Sequence, residues 1–474
     1  MKKLPVLSLL FLLMSVCSYA QVGIGTTTPD PSSMLDITSD SQGLLAPRMT
    51  TTQRTAITNP ADGLLVFDTD ETAFYYYDMA GIRWVKLLAN NVERDNYKLV
   101  KSAADLAPEL VAGGNSKYLL DEDTYYEING TIVLAAPIDL NNAYLSGLDA
   151  NEDVLVSSGT VFAGSMGGAI RNVTITGGAS PNGTAFNITG GNLLLIQNCI
   201  IANMTSVGTI SNVGTYFTNI IQFVNNNGGI TYSDIDNLLL LNQAWVGNNK
   251  GIYETLKGEF TLIQKVSGFS QVIGAAAGVD ITGVTNVLGD AVMESVVFSG
   301  GGNYINGSSP YTGYNFTNDW TVDSPGIPRE SDDVATGNLY FNSSSVVGLS
   351  NTNPFKLPVN TDAIRLFRTA EGTGVNSENR IVYKGQKGRS LNVFAAVSFT
   401  ATAGTRLGFS IYKNGVQVVG TQTVVDVLVT DARQSVSILG TVDVETDDYI
   451  EIYGRKISAA NEQFLVTSYN LIVN

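Results

Sequence analysis

The chain has 474 residues with 48 glycines and only 15% charged residues, a composition of β-rich, turn-dense domains rather than of a helical or disordered protein. Its formal charge of −16, with 27 basic against 43 acidic residues and no dense basic run, argues against a phosphate-tracking face and so against nucleic acid as a partner. No histidine is present, which removes Ser-His-Asp and Cys-His catalysis and every histidine metal site.

Met1-Lys-Lys, the apolar run from Leu4 to Val16 and the small residues of Ser18-Tyr-Ala20 read as a secretory signal peptide over 1–20, cleaved between Ala20 and Gln21. The run is too short to span a bilayer, and no later stretch is long and apolar enough for a transmembrane helix. The expected location is therefore outside the cytoplasm, extracellular or on the cell surface, with the periplasm open. Cleavage leaves Cys199 as the lone cysteine, so neither a disulfide within the chain nor a thiolate zinc site is available. Its place inside the apolar run Leu193 to Ile201 suits a small core residue. No cofactor or metal site is expected.

Residues 21–92 form a first small β module. It opens Val22-Gly-Ile-Gly-Thr, continues through Leu35-Asp-Ile37 and Pro47-Arg-Met-Thr50, and closes with Gly63-Leu-Leu-Val-Phe-Asp68, Phe74-Tyr-Tyr-Tyr77 and Trp84. Apolar strands alternating with Asp-Thr-Asp and Asp-Met-Ala-Gly turns predict a three-strand meander over 63–88. These motifs, in this order, resemble an N-terminal module of secreted Bacteroidetes proteins and of some phage tail fibres, which implies an attachment role.

Over 93–307 short apolar strands recur at roughly 15 to 25 residues, the spacing of a parallel β-helix whose coils bury their faces on one another. The rungs include Ala169–Thr176, Leu193–Ile201, Thr218–Val224, Asn237–Leu241, Phe260–Val266 and Glu294–Phe298. An ordinary β-sandwich of short strands fits the same lengths. A short helix with Ser102 as N-cap, ended by Pro108 and Gly113-Gly114, is predicted to lie over the first coil. The entry at Tyr118–Leu134 resembles the opening coil of right-handed β-helices in phage and secreted fibre proteins. Asn172, Asn187 and Asn203, each in an Asn-x-Thr triplet, read as coil-corner residues, because Asn tolerates left-handed backbone.

The segment 308–375 is rich in aromatics and proline and reads as an irregular junction; its Tyr314 and Trp320 are the candidate ligand contacts. Residues 376–474 give eight short strands, the pattern of a jelly-roll β-sandwich. The hairpin at Tyr412-Lys-Asn-Gly415 and the strand at Asp447-Asp-Tyr-Ile-Glu-Ile452 resemble C1q/TNF-like heads and phage fibre tips. That resemblance implies a homotrimer, against a monomeric sandwich.

The fold class is thus all-β: a β-helical middle, a C-terminal jelly roll and a small N-terminal β module. Carboxylates are the chemistry that remains, yet between Asp153 and Asp234 the chain carries one charge, Arg171. The later acids, among them Asp234, Glu254, Asp280 and Glu294, read as solvated surface groups. No catalytic residue is assigned. The first reading is a secreted, non-enzymatic fibre or adhesin-like protein whose head binds a glycan or a cell-surface protein. The alternative is a phage or prophage fibre, and a third reading is a β-helical polysaccharide lyase or hydrolase.

Overall fold

The computed structural model describes residues 21–87, 96–458 and 462–474. The signal peptide with Ala20 and the module boundary at residue 92 lie outside them. Strand makes up 53% of the structure and helix 4%, so the protein is all-β.

The N-terminal unit pairs Val22–Ile24 with Leu35–Ile37 in parallel, and then builds a four-stranded sheet. Arg48–Met49 runs parallel to Leu65–Asp68, which continues antiparallel through Ala73–Asp78 to Arg83–Lys86, the expected meander. Between them the short helix Thr51–Thr55 is held by a reciprocal capping box of Thr50 and Gln53. Of the three consecutive tyrosines, Tyr75 is buried, under the guanidinium of Arg54 at 3.8 Å.

The second unit begins with a parallel β-solenoid of about nine turns. One interior column runs through Tyr126, Leu145, Ile170, Ile196, Thr218, Leu240, Lys265, Met293 and Val322, each in register with the next and all buried. Alternation places the neighbouring residue of each rung outside, where Tyr97, Tyr125 and Tyr144 stack on successive coils. The helix Ala107–Ala112 follows a 3₁₀ turn, Ala103–Leu106, capped by Ser102. Leu106 packs into the solenoid core with Tyr118 and Tyr126, so this segment closes the first coil. Pro108 opens the helix instead of ending it: it stands in the first turn, where its missing N–H has no helical partner to lose, and Gly113 is the C-cap.

Asparagines hold the coil corners. Asn172, Asn198, Asn203, Asn225 and Asn242 all adopt φ between +50° and +55°, and their side chains bond from coil to coil, Asn198 to Asn172 at 3.1 Å and Asn225 to Asn203 at 2.7 Å. Asn187 is different: it lies within the strand Thr184–Ile188. Asn226 is fully buried; it accepts from Met204 N and donates to Ile201 O and Asn249 Oδ1. Replacing it by leucine takes the acceptor from Met204 N and the side-chain donor from Ile201 O, while Asn249 Oδ1 keeps the Asn226 backbone N–H, so Asn226→Leu is expected to lower stability in urea unfolding by about 2 kcal/mol. A change below about 0.5 kcal/mol would show that the corner does not depend on these bonds.

The solenoid runs past residue 307. Trp320–Asp323 makes a further coil on Ala291–Glu294, with Trp320 and Val322 pointing inward above Ala291 and Met293. The irregular excursion 307–319 separates this rung from its predecessor and hides the period. Nor is 308–375 all junction, because Thr336–Ser344 and Val359–Phe367 pair antiparallel and join the C-terminal domain through Glu462–Val473. That domain is a sandwich of a six-stranded and a seven-stranded antiparallel sheet around its own core. Its hairpin turns at Asn414-Gly415, both at positive φ, as a two-residue turn of this twist demands.

Candidate functional site

The last solenoid coil and the head are joined by buried polar side chains. Glu330, wholly buried, accepts from the backbone N–H of Asn315 (2.8 Å) and of Phe316 (2.9 Å) and so shapes the excursion before Trp320. Burial pushes its carboxyl up in spite of those donors. Arg368 of the head is 1% exposed; it donates to the carbonyl of Trp320 and lies 3.4 Å from Asp332. Asn318 Nδ2 reaches the carbonyl of Lys384 at 2.6 Å.

Around this joint the aromatics of the excursion close on the head. Tyr314 stacks on Phe367 with ring centroids 3.9 Å apart, and Tyr311 meets the same ring edge-on at 5.4 Å. Two cavities flank them. The first, of about 560 Å³, is lined by Tyr314, Pro328, Thr336, Asn338, Arg365 and Ile472 among others. The second, of about 600 Å³, is lined by Tyr311, Ile364, Leu366, Thr369 and again Thr312 and Arg365. Arg365 adopts φ +54°, at a bulge where the pairing with Thr336–Ser344 shifts register. A side chain in left-handed backbone costs about 1 kcal/mol or more and persists where its surroundings impose it; here the carbonyl of Arg365 accepts from the hydroxyl of Thr336.

The Arg365 guanidinium is exposed and makes no ion pair among the described residues. No Asp or Glu side chain lines either cavity, in a chain with an acidic excess. Tyrosine edges, a free guanidinium, an amide and hydroxyls suit a sugar, neutral or carboxylated, held by hydrogen bonds and ring contact. The set contains no acid and base pair for bond cleavage.

Of the two expected contacts, the structure brings Tyr314 to this site and withdraws Trp320. Trp320 is 2% exposed, packed on Phe316 at 5.0 Å inside the solenoid, so its ring is core and reaches no ligand. Gln21 is at the start of the described chain, remote in sequence from the site. Tyr311, Asn338 and Arg365 were not singled out from the sequence. An arginine in a polar, alternating strand gives no local sign that its backbone bulges toward an aromatic loop.

The solenoid acids also divide. Glu254 is fully buried and ion-paired with Lys265, not solvated as expected. Glu294 and Asp323 are exposed and in register on adjacent coils, with Asp323 near Arg329. Asp280 is bonded to Thr282 and Asn306. Cys199 is buried, and burial pushes its thiol up to about 12, so it is a core residue. Among the described residues no group of three His, Cys, Asp or Glu side chains is arranged to hold a metal, and no helix is long and apolar enough to cross a membrane.

Residues 23–97 match the family model described as phage tail like trimerisation region. No curated protein sequence matches the chain. Solved structures similar to it include Eiger TNF from S. frugiperda, 11% identical, covering 30% of this chain and 91% of that one at a TM-score of 0.23. The enzymatically active domain of bacteriophage CBA120 tailspike protein 4 is 9% identical, covering 90% and 77% at 0.20. The Acinetobacter baumannii phage AM24 tailspike is 10% identical, covering 87% and 91% at 0.22. At such TM-scores these likenesses carry no argument about function.

Proposed function

We propose that the protein is a trimeric, tail-fibre-like receptor-binding protein, with its N-terminal module joining three chains, its solenoid as a rigid shaft and its head with the adjoining cavities as the receptor-contacting end. The observation that carries this reading is the state of the matched N-terminal module. Val66 and Tyr75 are its buried hydrophobic residues, whereas Ile24, Met34, Leu35, Leu45 and Ile82 are 54%, 72%, 51%, 79% and 79% exposed. A module with so small a core and so much uncovered apolar surface is built to be completed by other chains. That fits the trimerisation region its sequence matches.

The head offers a second such surface. Leu439, Phe394 and Ile472 lie side by side on three neighbouring strands of the six-stranded sheet, 59%, 44% and 36% exposed. The shaft supplies length, and the ligand falls to Tyr311, Tyr314 and Arg365.

Native mass is the direct test: a species of three times 50.4 kDa, less any removed leader, is expected. Phe394→Asp, on an exposed position, is expected to leave the single-chain fold intact and to lower the temperature at which the head of the trimer comes apart. A monomer at micromolar concentration would overturn the trimeric reading. Binding to intact bacteria, lost in Arg365→Glu and Tyr314→Ala together, tests the contact site; undiminished binding of that variant would move the contact elsewhere.

The leader-like Met1–Ala20 favours a second reading, a fibre exported by the cell that makes it and displayed on its surface. N-terminal sequencing separates the two: a chain beginning at Gln21 supports export, and an intact Met1 supports a virion component.

A further inference from the structure

Half-way along the shaft the solenoid interior ceases to be apolar. Thr218, Gln243, Glu254 and Lys265 are 1%, 2%, 0% and 3% exposed, and they come from three successive coils. Lys265 Nζ lies 2.9 Å from the Glu254 carboxylate and 3.3 Å from Gln243 Oε1. The Gln243 amide is fixed at both ends: Nε2 donates to Thr218 Oγ1 at 2.9 Å, and Oε1 also accepts from the Tyr253 hydroxyl at 2.9 Å. The Tyr253 ring stands 5.0 Å from Lys265 Nζ, and the buried Tyr216 and Tyr232 complete the titratable groups around the carboxylate.

A buried ion pair adds little stability, because stripping water from both charges cancels most of their attraction. The same burial pushes the Glu254 carboxyl up. Lys265 Nζ thus stands between the Gln243 amide and a carboxyl group that can move protons. With Oε1 at 3.3 Å from Nζ and a C=O bond of about 1.23 Å, the amide carbon is no more than about 4.5 Å from the amine. The Tyr253 hydroxyl already points at the oxygen on which charge would develop.

We propose that Lys265 and Gln243 condense into an intramolecular isopeptide cross-link, with Glu254 as the catalytic proton-transfer residue. The Nζ lone pair attacks Cδ of Gln243, and the carbonyl electron pair moves onto Oε1, held by the Tyr253 hydroxyl. Glu254 takes the first Nζ proton, which frees that lone pair, delivers it to Nε2, and takes the second Nζ proton as the amide forms, ending as the acid. As the carbonyl re-forms, the Cδ–Nε2 bond breaks and ammonia leaves, so a primary amide and an amine become a secondary amide and ammonia, with no oxidant and no metal. The side chains involved are buried, which shields the new bond from hydrolysis.

The bond would tie the strand Ile230–Trp245 to Ile252–Gln271, two coils otherwise joined by hydrogen bonds and packing. A solenoid opens coil by coil, so a covalent tie in its middle blocks that route.

The test is mass spectrometry of the full-length chain, kept folded and then denatured. The expected mass is lower than the sequence mass by one ammonia, and a digest yields a branched peptide joining Gln243 to Lys265. That branched peptide also separates the cross-link from an ammonia lost by cyclisation of an N-terminal Gln21. Glu254→Gln and Lys265→Arg, once shown by circular dichroism to fold, are expected to keep the full mass. A branched peptide in Glu254→Gln at the wild-type level overturns the role of Glu254. Wild-type protein that stays folded for days without the branched peptide overturns the cross-link, whatever the variants do.

Discussion

Trp320→Ala is expected to destabilise the shaft and head by about 3–5 kcal/mol, the range for removing a large aromatic from a packed core. Its ring fills the interior of the last coil against Phe316, above Ala291, with 2% of its surface exposed. Its carbonyl accepts from Arg368, so the coil it anchors is also the one the head holds. The cavity left behind would lie in the solenoid core, among Phe316, Ala291 and their buried neighbours. The expected signature is an earlier, broader unfolding transition in urea, with the head released from the shaft before either melts. Tyr314→Ala is the contrast: its ring is partly exposed and its loss removes one stacked neighbour, so its effect falls on ligand binding more than on stability. A Trp320→Ala protein within about 1 kcal/mol of wild type would return Trp320 to the list of ligand contacts.

The solenoid was legible because its signal is repetitive: apolar residues alternate along each rung, and asparagine stands where the chain turns through left-handed backbone. Asn172 and Asn203 could be placed at corners from residue type alone, and Cys199 in the core from its apolar run. The meander over 65–86 and the Asn414-Gly415 hairpin were readable for the same reason, since turn chemistry is local. What was not legible depends on partners distant in sequence. Trp320 looked exposed because it follows an irregular excursion, and only its register with Ala291 shows that it belongs to a coil. Glu254 looked solvated because a lone acid usually is; its partner Lys265 lies eleven residues on, across the solenoid interior, and Lys265 in turn reaches Gln243 of the coil before. Arg365 reads as an ordinary polar residue of an alternating strand, and its significance comes from the bulge and from Tyr311 and Tyr314, some 50 residues earlier.

The N-terminal module is expected to lose its fold selectively in Asp68→Asn. Asp68 is fully buried; its carboxylate is 2.8 Å from Arg54 Nε and also accepts from the Thr51 hydroxyl and from the N–H groups of Asp70 and Glu71. Burial alone pushes this carboxyl up, but Arg54 and then the other donors outweigh it and bring it down to about 2. A carboxylate depressed in the folded state stabilises above its unfolded value of about 3.9 and loses that contribution as the pH falls through the folded one. With Val66 and Tyr75 as its buried hydrophobic residues, the module has little else to lean on. Hydrogen-exchange protection of the strands Leu65–Asp68 and Ala73–Asp78, corrected for intrinsic rates, is therefore expected to be high in the wild type at pH about 5 and low in Asp68→Asn. The gap between the two should close as the pH falls toward about 2, where the wild-type carboxylate takes up its proton. A gap of constant size across that range would mean that the Arg54 pair is not what ties the short helix Thr51–Thr55 to the sheet.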